Sequence, residues 1–208
     1  MSSVSRLNGF RPVKTIAGAP YNGQGEVAFL PASDSSVVMV GDAVKLLGDA
    51  RAATGVPTVT RITAGTDIPF GIVVGIMFTG VGDTVNTPPV NDLNTPVYRR
   101  ASTDRYLMVC TDPAVVYEVQ YLATSVAAAT ITANVGLNGT FDVTAGSTTS
   151  GSSGMSLANG ALATTATLPL KIVGFPNRPD NIPGDTYFSY YVRLNSSTNA
   201  TGTGSAGV

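Results

Sequence analysis

The sequence predicts an all-β protein, a barrel or sandwich of many short strands with an extended N-terminal arm and at most one short helix. Three observations carry this expectation. Short apolar or alternating runs recur from Glu26 to Asn195, each bounded by Gly, Pro, Asp or Asn, the pattern of strands joined by tight turns. Several runs alternate strictly, as in Thr58-Val59-Thr60-Arg61-Ile62, which sends one face to a core and one to solvent. Helical periodicity is scarce along the whole chain.

The elements follow in order. Residues 1–24 read as the extended arm, since "NGFRPVKTIAGAPYNG" holds Pro12, Pro20, Gly9, Gly18 and Gly23 and keeps neither a 3.6 nor a 2.0 hydrophobic period. The only charged side chains between Met1 and Gly25 are Arg6, Arg11 and Lys14, so the arm is basic. A β-rich body spans residues 25–195. Its expected strands are "EVAFLP", "VVMVGDAVKLL", "PTVTRIT", "FGIVVGIMF", "PVYRRA", "RYLMVCT", "AVVYEVQ", "TFDVT", "LPLKIVGF" and "TYFSYYVRLN". In the last of these, alternation places Tyr187 and Tyr191 on one face and Phe188 and Tyr190 on the other. One or two helical turns are expected within residues 123–136, where alanines favour a helix and Thr and Ile oppose it. The Ser/Thr/Gly-rich residues 144–160 are expected to form a long surface loop, or a segment ordered by a neighbouring chain. Residues 196–208 read as a flexible tail, because such compositions bury too little apolar surface to offset the cost of ordering them.

Composition narrows the function classes. The chain has 208 residues, 43% hydrophobic and only 12% charged, against roughly a quarter charged in ordinary soluble domains. That suits a protein packed against others. A net charge of −1 offers no general positive field for nucleic acid, so none is expected as a partner. No run approaches the ~20 apolar residues of a membrane helix, and "MSSVSRLNGFRPVK" lacks the apolar core of a secretory signal. No membrane partner is expected, and synthesis in a reducing cytoplasm is. The one cysteine, Cys110, lies in a strand-like run and reads as a small buried hydrophobe.

Catalytic and metal chemistry find little to work with. There is no histidine, which removes Ser-His-Asp and Cys-His nucleophile systems and nearly all zinc sites. The glutamates are only Glu26 and Glu118. Aspartate pairs such as Asp42 with Asp49, or Asp180 with Asp185, sit in Gly- or Pro-bearing loops where Asp bonds its own backbone. No phosphate-binding glycine motif occurs. The "RPDNIPGD" loop offers Asp180, Asn181 and Asp185 as oxygen ligands for calcium. It lacks alternating acidic spacing, and the preferred reading is a stiffened strand connection in which Arg178 bonds a nearby carboxylate or carbonyl. No catalytic residue, metal or cofactor is therefore expected, and the chain reads as a non-enzyme.

Several segments together, "GFRPVK" with "PYNG", "GDAVKL", "YRRASTDRYLMVCTDPAVVYEVQ", "GSTTSGSSGMSL" and "LPLKIVGFPNRPDN", resemble the cement, or head-decoration, proteins of tailed bacteriophages. The resemblance covers roughly residues 6–194. It implies a structural virion protein that binds the outer surface of a capsid, with the major capsid protein and copies of itself as partners, a homotrimer being preferred over a dimer. On this reading Arg6, Phe10, Arg11, Pro12, Lys14 and Tyr21 are the capsid-binding arm residues, and Arg178, Asp180 and Asn181 form a loop at a subunit interface. The alternative is a phage fibre or receptor-binding component contacting host-surface glycans. A major capsid protein and a carboxylate-only hydrolase are the more distant readings.

Overall fold

A computed structural model of the chain describes residue 5 and residues 7–77, 97–122, 126–199 and 204–207. Within them the protein is nearly all β. In chain order the elements are β1 (Arg11–Thr15), β2 (Glu26–Leu30), β3 (Ala43–Ala50), β4 (Pro57–Arg61), β5 (Gly71–Met77), β6 (Arg105–Cys110), β7 (Val115–Leu122), α1 (Ala128–Ala133), β8 (Asn138–Gly139), β9 (Phe141–Asp142), β10 (Ser156–Leu157), β11 (Leu170–Gly174) and β12 (Tyr187–Leu194).

The strands divide between two sheets. The first closes on itself as a five-stranded barrel in the order β2-β4-β3-β5-β6, closure coming from the single parallel pairing of Phe29 with Thr58. Closure removes the exposed strand edges that would invite pairing with other chains. The second sheet runs β8-β11-β12-β7-β10-β9, with β1 added to β7. Along β7, β12 covers one edge from end to end, and β1 and β10 share the other.

Two apolar clusters follow from strand alternation. The barrel interior holds Ala28, Leu30, Val38, Val44, Val59, Phe70, Val73, Leu107 and Val109. The barrel's outward-pointing Ala43, Ile72 and Cys110 join Tyr117, Val119, Tyr121, Phe188, Tyr190, Val192 and others in a second core under the inner face of the second sheet. Strands β5 and β6 are thus buried on both sides, which is why "GIVVGIM" and "RYLMVC" read as almost continuous apolar runs. The alternation predicted for the final strand holds: β12 reads intermediate, buried, intermediate, buried along its length. Phe188 and Tyr190 pack edge-to-face with centroids 5.0 Å apart in the core. Helix α1 is one of the expected turns, pinned where Tyr190 Oη donates to Ile131 O at 2.9 Å and accepts from Asn134 Nδ2 at 3.2 Å.

Four expectations are corrected. In "PVYRRA" residues 97–101 form no strand, and Arg99 makes only an isolated bridge with Val38. Residues 8–24 are not free of the sheet, because Arg11–Thr15 is β1 and residues 19–21 fold back along it through Thr15 N–H to Ala19 O and Tyr21 N–H to Val13 O. The loop 144–160 is ordered by its own chain, with Ser153, Met155, Ser156 and Leu157 all fully buried and β10 inside it. Of the supposed tail, residues 204–207 are bonded to the body: Ser205 N–H donates to Asn195 Oδ1 at 3.0 Å and Gly207 N–H to Thr164 O at 3.0 Å.

The two sheets are stitched by polar groups near the barrel mouth. The buried Asp42 carboxylate accepts from Met39 N–H, from Arg61 Nε at 3.1 Å and from Ser153 Oγ at 2.6 Å, so one carboxylate joins the barrel to the loop that carries β10. Beside it Gly9 and Gly41, both at positive φ, bring two backbones together; a Cβ on Gly9 would stand 2.5 Å from Gly41 O, a clash only glycine avoids.

Candidate functional site: the outer face of the second sheet

Register determines which side chains share the face away from the core. Cross-strand partners point to the same side of a sheet. Arg11 is opposite Glu118, and Glu118 is opposite Tyr191, so one row reads Tyr191, Glu118, Arg11 across β12, β7 and β1. The next row reads Lys171, Arg193, Val116, Lys14 across β11, β12, β7 and β1. Arg11 and Lys14 are three residues apart and would ordinarily point to opposite faces. A bulge between Pro12 and Lys14 shifts the register and turns both outward. Pro12, lacking an N–H, is tolerated on an edge strand at such an irregularity.

The loop after β11 closes over the same face. Arg178 forks onto Glu118, Nη1 to Oε2 at 3.0 Å and Nη2 to Oε1 at 2.5 Å, while its Nε donates to Asp180 Oδ1 at 2.8 Å. The hydrogen bonds to Glu118 hold the Arg178 pKa above its ordinary value. Asn181 is nearly fully buried and substitutes for a strand residue: its Oδ1 accepts from Ser189 N–H at 2.7 Å, and its Nδ2 donates to Ser189 O at 3.1 Å and to Pro176 O at 3.0 Å. The loop thereby caps the edge of β12 that β11 leaves beyond Gly174. With Asn181 Oδ1 engaged by the backbone and Asp180 by Arg178, these two do not form the oxygen cage of a calcium site. Among the described residues no cluster of three or more Cys, Asp or Glu side chains could hold a metal ion.

Lys14 sits over the Tyr191 ring, its Nζ 5.0 Å from the centroid, within cation–π range. Two independently predicted segments, the N-terminal one and the "NRPDN" loop, therefore meet on one face, with Arg11, Lys14 and Arg178 gathered around Glu118 and Tyr191. The other predicted residues lie elsewhere. Phe10 is a core residue, 1% exposed and edge-on to Phe141 at 5.0 Å, so in the folded chain it is unavailable to a partner. Tyr21 is half-buried and donates to Gln24 O at 2.5 Å; burial first, then the neighbouring Cys110, push its pKa up to about 12. Arg6 lies outside the described residues.

Lys171 and Arg193 belong to the face and were not singled out from the sequence. Alternation in "LKIVG" and "YYVRL" marks both as pointing away from the core, but only the pairing of β11 with β12 makes them neighbours. The face offers charge and aromatic surface, with Glu118 of β7 committed to Arg178. Comparison of the chain with protein-family models, with characterised proteins and with solved structures finds no match to any of them.

Proposed function

We propose that the chain is a structural virion protein of the cement, or head-decoration, type, which docks through the outer face of its second sheet on the outside of a phage head and links neighbouring major-capsid subunits. The observation that carries this reading is the convergence of Arg11, Lys14 and Arg178 on one rigid face. The segment that supplies Arg11 and Lys14 is anchored in the core by Phe10, so the face is ordered before docking and a partner need not offset that ordering entropy. A low overall charge and a closed barrel suit dense packing of copies without edge-to-edge aggregation.

The proposed role is linkage and not turnover. A ligand that binds only the assembled shell stabilises it by mass action, and a homotrimer, or failing that a dimer, multiplies the effect through bridging. The protein would be made in the host cytoplasm and reside on the outer capsid surface, with no cofactor and without nucleic acid or membrane as partner.

The test is cosedimentation of the full chain with expanded heads assembled without it. Deleting residues 1–24 would remove Phe10 and β1 together, so the informative variant is Arg11→Gln, an exposed position. Saturable binding weakened by Arg11→Gln supports the proposal. A full chain that stays in the supernatant yet binds intact host cells overturns it in favour of a fibre or receptor-binding component.

A further inference from the structure

The cross-strand row Lys171, Arg193, Val116, Lys14 has no counter-charge of its own. Adjacent strands lie about 4.8 Å apart, so three cations span roughly 14 Å in a line. Lys171 and Arg193 are directly opposed, an arrangement of like charges that costs stability in a sheet. Their bonds are to neutral groups: Lys171 Nζ to Ser205 Oγ at 3.0 Å and Ala206 O at 2.7 Å, and Arg193 Nη2 to Ser205 Oγ at 3.4 Å. These orient the two heads without cancelling their charge. Arg193 Nε is enclosed and has no acceptor, and no ion pair joins Lys14, Lys171 or Arg193 to an Asp or Glu among the described residues. By contrast the cations Lys45, Arg61, Arg99 and Arg178 each have a carboxylate partner.

We infer that this row is a recognition strip for a carboxylate-bearing surface of a folded protein, taking two or three Asp or Glu side chains in line. The inference deepens the docking reading above and rests on it for the partner's being a protein. The neighbouring row argues the same way. Glu118 in the adjacent row and Asp180, both bonded to Arg178, flank the strip, so a stiff polyanion with its charges fixed at close spacing meets acidic groups, whereas carboxylates carried on flexible side chains can seat on the cations alone. Lys14, held over Tyr191, ends the strip in a fixed position.

The experiment uses the full chain, the triple variant Lys14→Gln/Lys171→Gln/Arg193→Gln, the single variant Lys171→Gln, and Lys45→Gln as a control whose charge pairs with Asp67 on the barrel. Fluorescently labelled poly-L-glutamate and an oligothymidylate of equal length are the probes, read by anisotropy at low and at near-physiological salt. The expected result is that the full chain binds poly-L-glutamate in a salt-sensitive way, with affinity about tenfold lower in the triple variant, the scale of three exposed ion pairs. Lys45→Gln should bind as the parent does, and the single variant, at a half-buried rim position, should show a partial loss even where the triple variant fails to fold. Parent-like binding by a folded triple variant, no loss in the single variant, or tighter binding of oligothymidylate than of poly-L-glutamate overturns the inference. Head cosedimentation separates the two proposals: a parent that binds heads and a triple variant that binds equally well sinks the strip and leaves docking standing. A parent that binds poly-L-glutamate through the row but ignores heads sinks docking and leaves the strip.

Discussion

Replacing Arg99 with methionine tests how much of the barrel's end depends on one buried cation. Arg99 is fully buried, and its guanidinium donates to Thr103 O at 2.8 Å, Pro31 O at 2.7 Å, Asp34 O at 2.8 Å and Ser36 O. It therefore ties residues 31–36 to residues 99–103, both otherwise irregular. Burial lowers its pKa, with Asp34 and Asp104 pulling the other way; the Asp34 carboxylate stands 4.0 Å from Nη1. Hydrogen bonds from a charged donor are worth about 1.5–3 kcal/mol each, so four would total ~6–12 kcal/mol if additive. The cost of keeping a guanidinium out of water, several kcal/mol, offsets much of that. A net loss of about 3–5 kcal/mol remains, the range seen when one partner of a buried charged network is removed. For a chain of this size that is a fall in Tm of roughly 6–20 °C. Lysine should recover little, because one ammonium cannot match a planar fork aimed at four carbonyls. Thermal unfolding of the parent, R99M and R99K by circular dichroism measures this. An R99M transition within about 2 °C of the parent would mean the bonds to Arg99 are no better than those the loop makes with water, and the reasoning fails.

Asn181→Ala should cost about 2–4 kcal/mol, since it orphans the Ser189 N–H and the Pro176 and Ser189 carbonyls at a buried strand edge; hydrogen exchange should quicken at Ser189 ahead of the rest of β12. Asp67 accepts from Thr63 N–H, Ala64 N–H and Lys45 Nζ. Burial raises its pKa, but these bonds outweigh burial and hold it below the ordinary carboxylate value. The stability it contributes is thus complete above its unfolded value and lost as pH falls through the lower folded one. The gap between parent and Asp67→Asn in urea unfolding should be present near neutral pH and shrink below about pH 4; a gap unchanged down to about pH 2 would contradict the assignment. The Cys110 thiol is buried, and burial pushes its pKa up, so iodoacetamide should label it only on unfolding. Labelling of the native protein at the rate of a free thiol would place it on an accessible path.

Much of the fold was legible because strand patterning is local. "PTVTRIT", "RYLMVCT" and "TYFSYYVRLN" each carry the period of two, or the continuous apolar run, that their burial demands, and β4, β6 and β12 lie where those runs lie. "PVYRRA" misled because, among its described residues, only Arg99 is buried, held by a guanidinium bonded to the carbonyls of Pro31, Asp34 and Ser36 and not by a ladder, while Val97, Arg100 and Ala101 are exposed. Likewise Phe10 sits in a segment with no period of its own, and only the core supplied by other strands gives it a place to be buried. The low-complexity residues 144–160 looked unable to order themselves, and alone they are; Asp42 and the apolar wall of the second core provide what their composition lacks.

The candidate face divides in the same way. By itself the sequence determined which residues point away from the core, through alternation, and that Arg178 had a role in a stiff connection. It could not determine that Lys171, Arg193 and Lys14 stand in one row, because cross-strand register is set by pairings among segments far apart in the chain. Nor could it show that a bulge after Pro12 turns Arg11 and Lys14 to the same side. Periodicity is a property of neighbours along the chain, whereas a charged strip four strands wide is a property of neighbours across a sheet, and only the closed tertiary structure decides those.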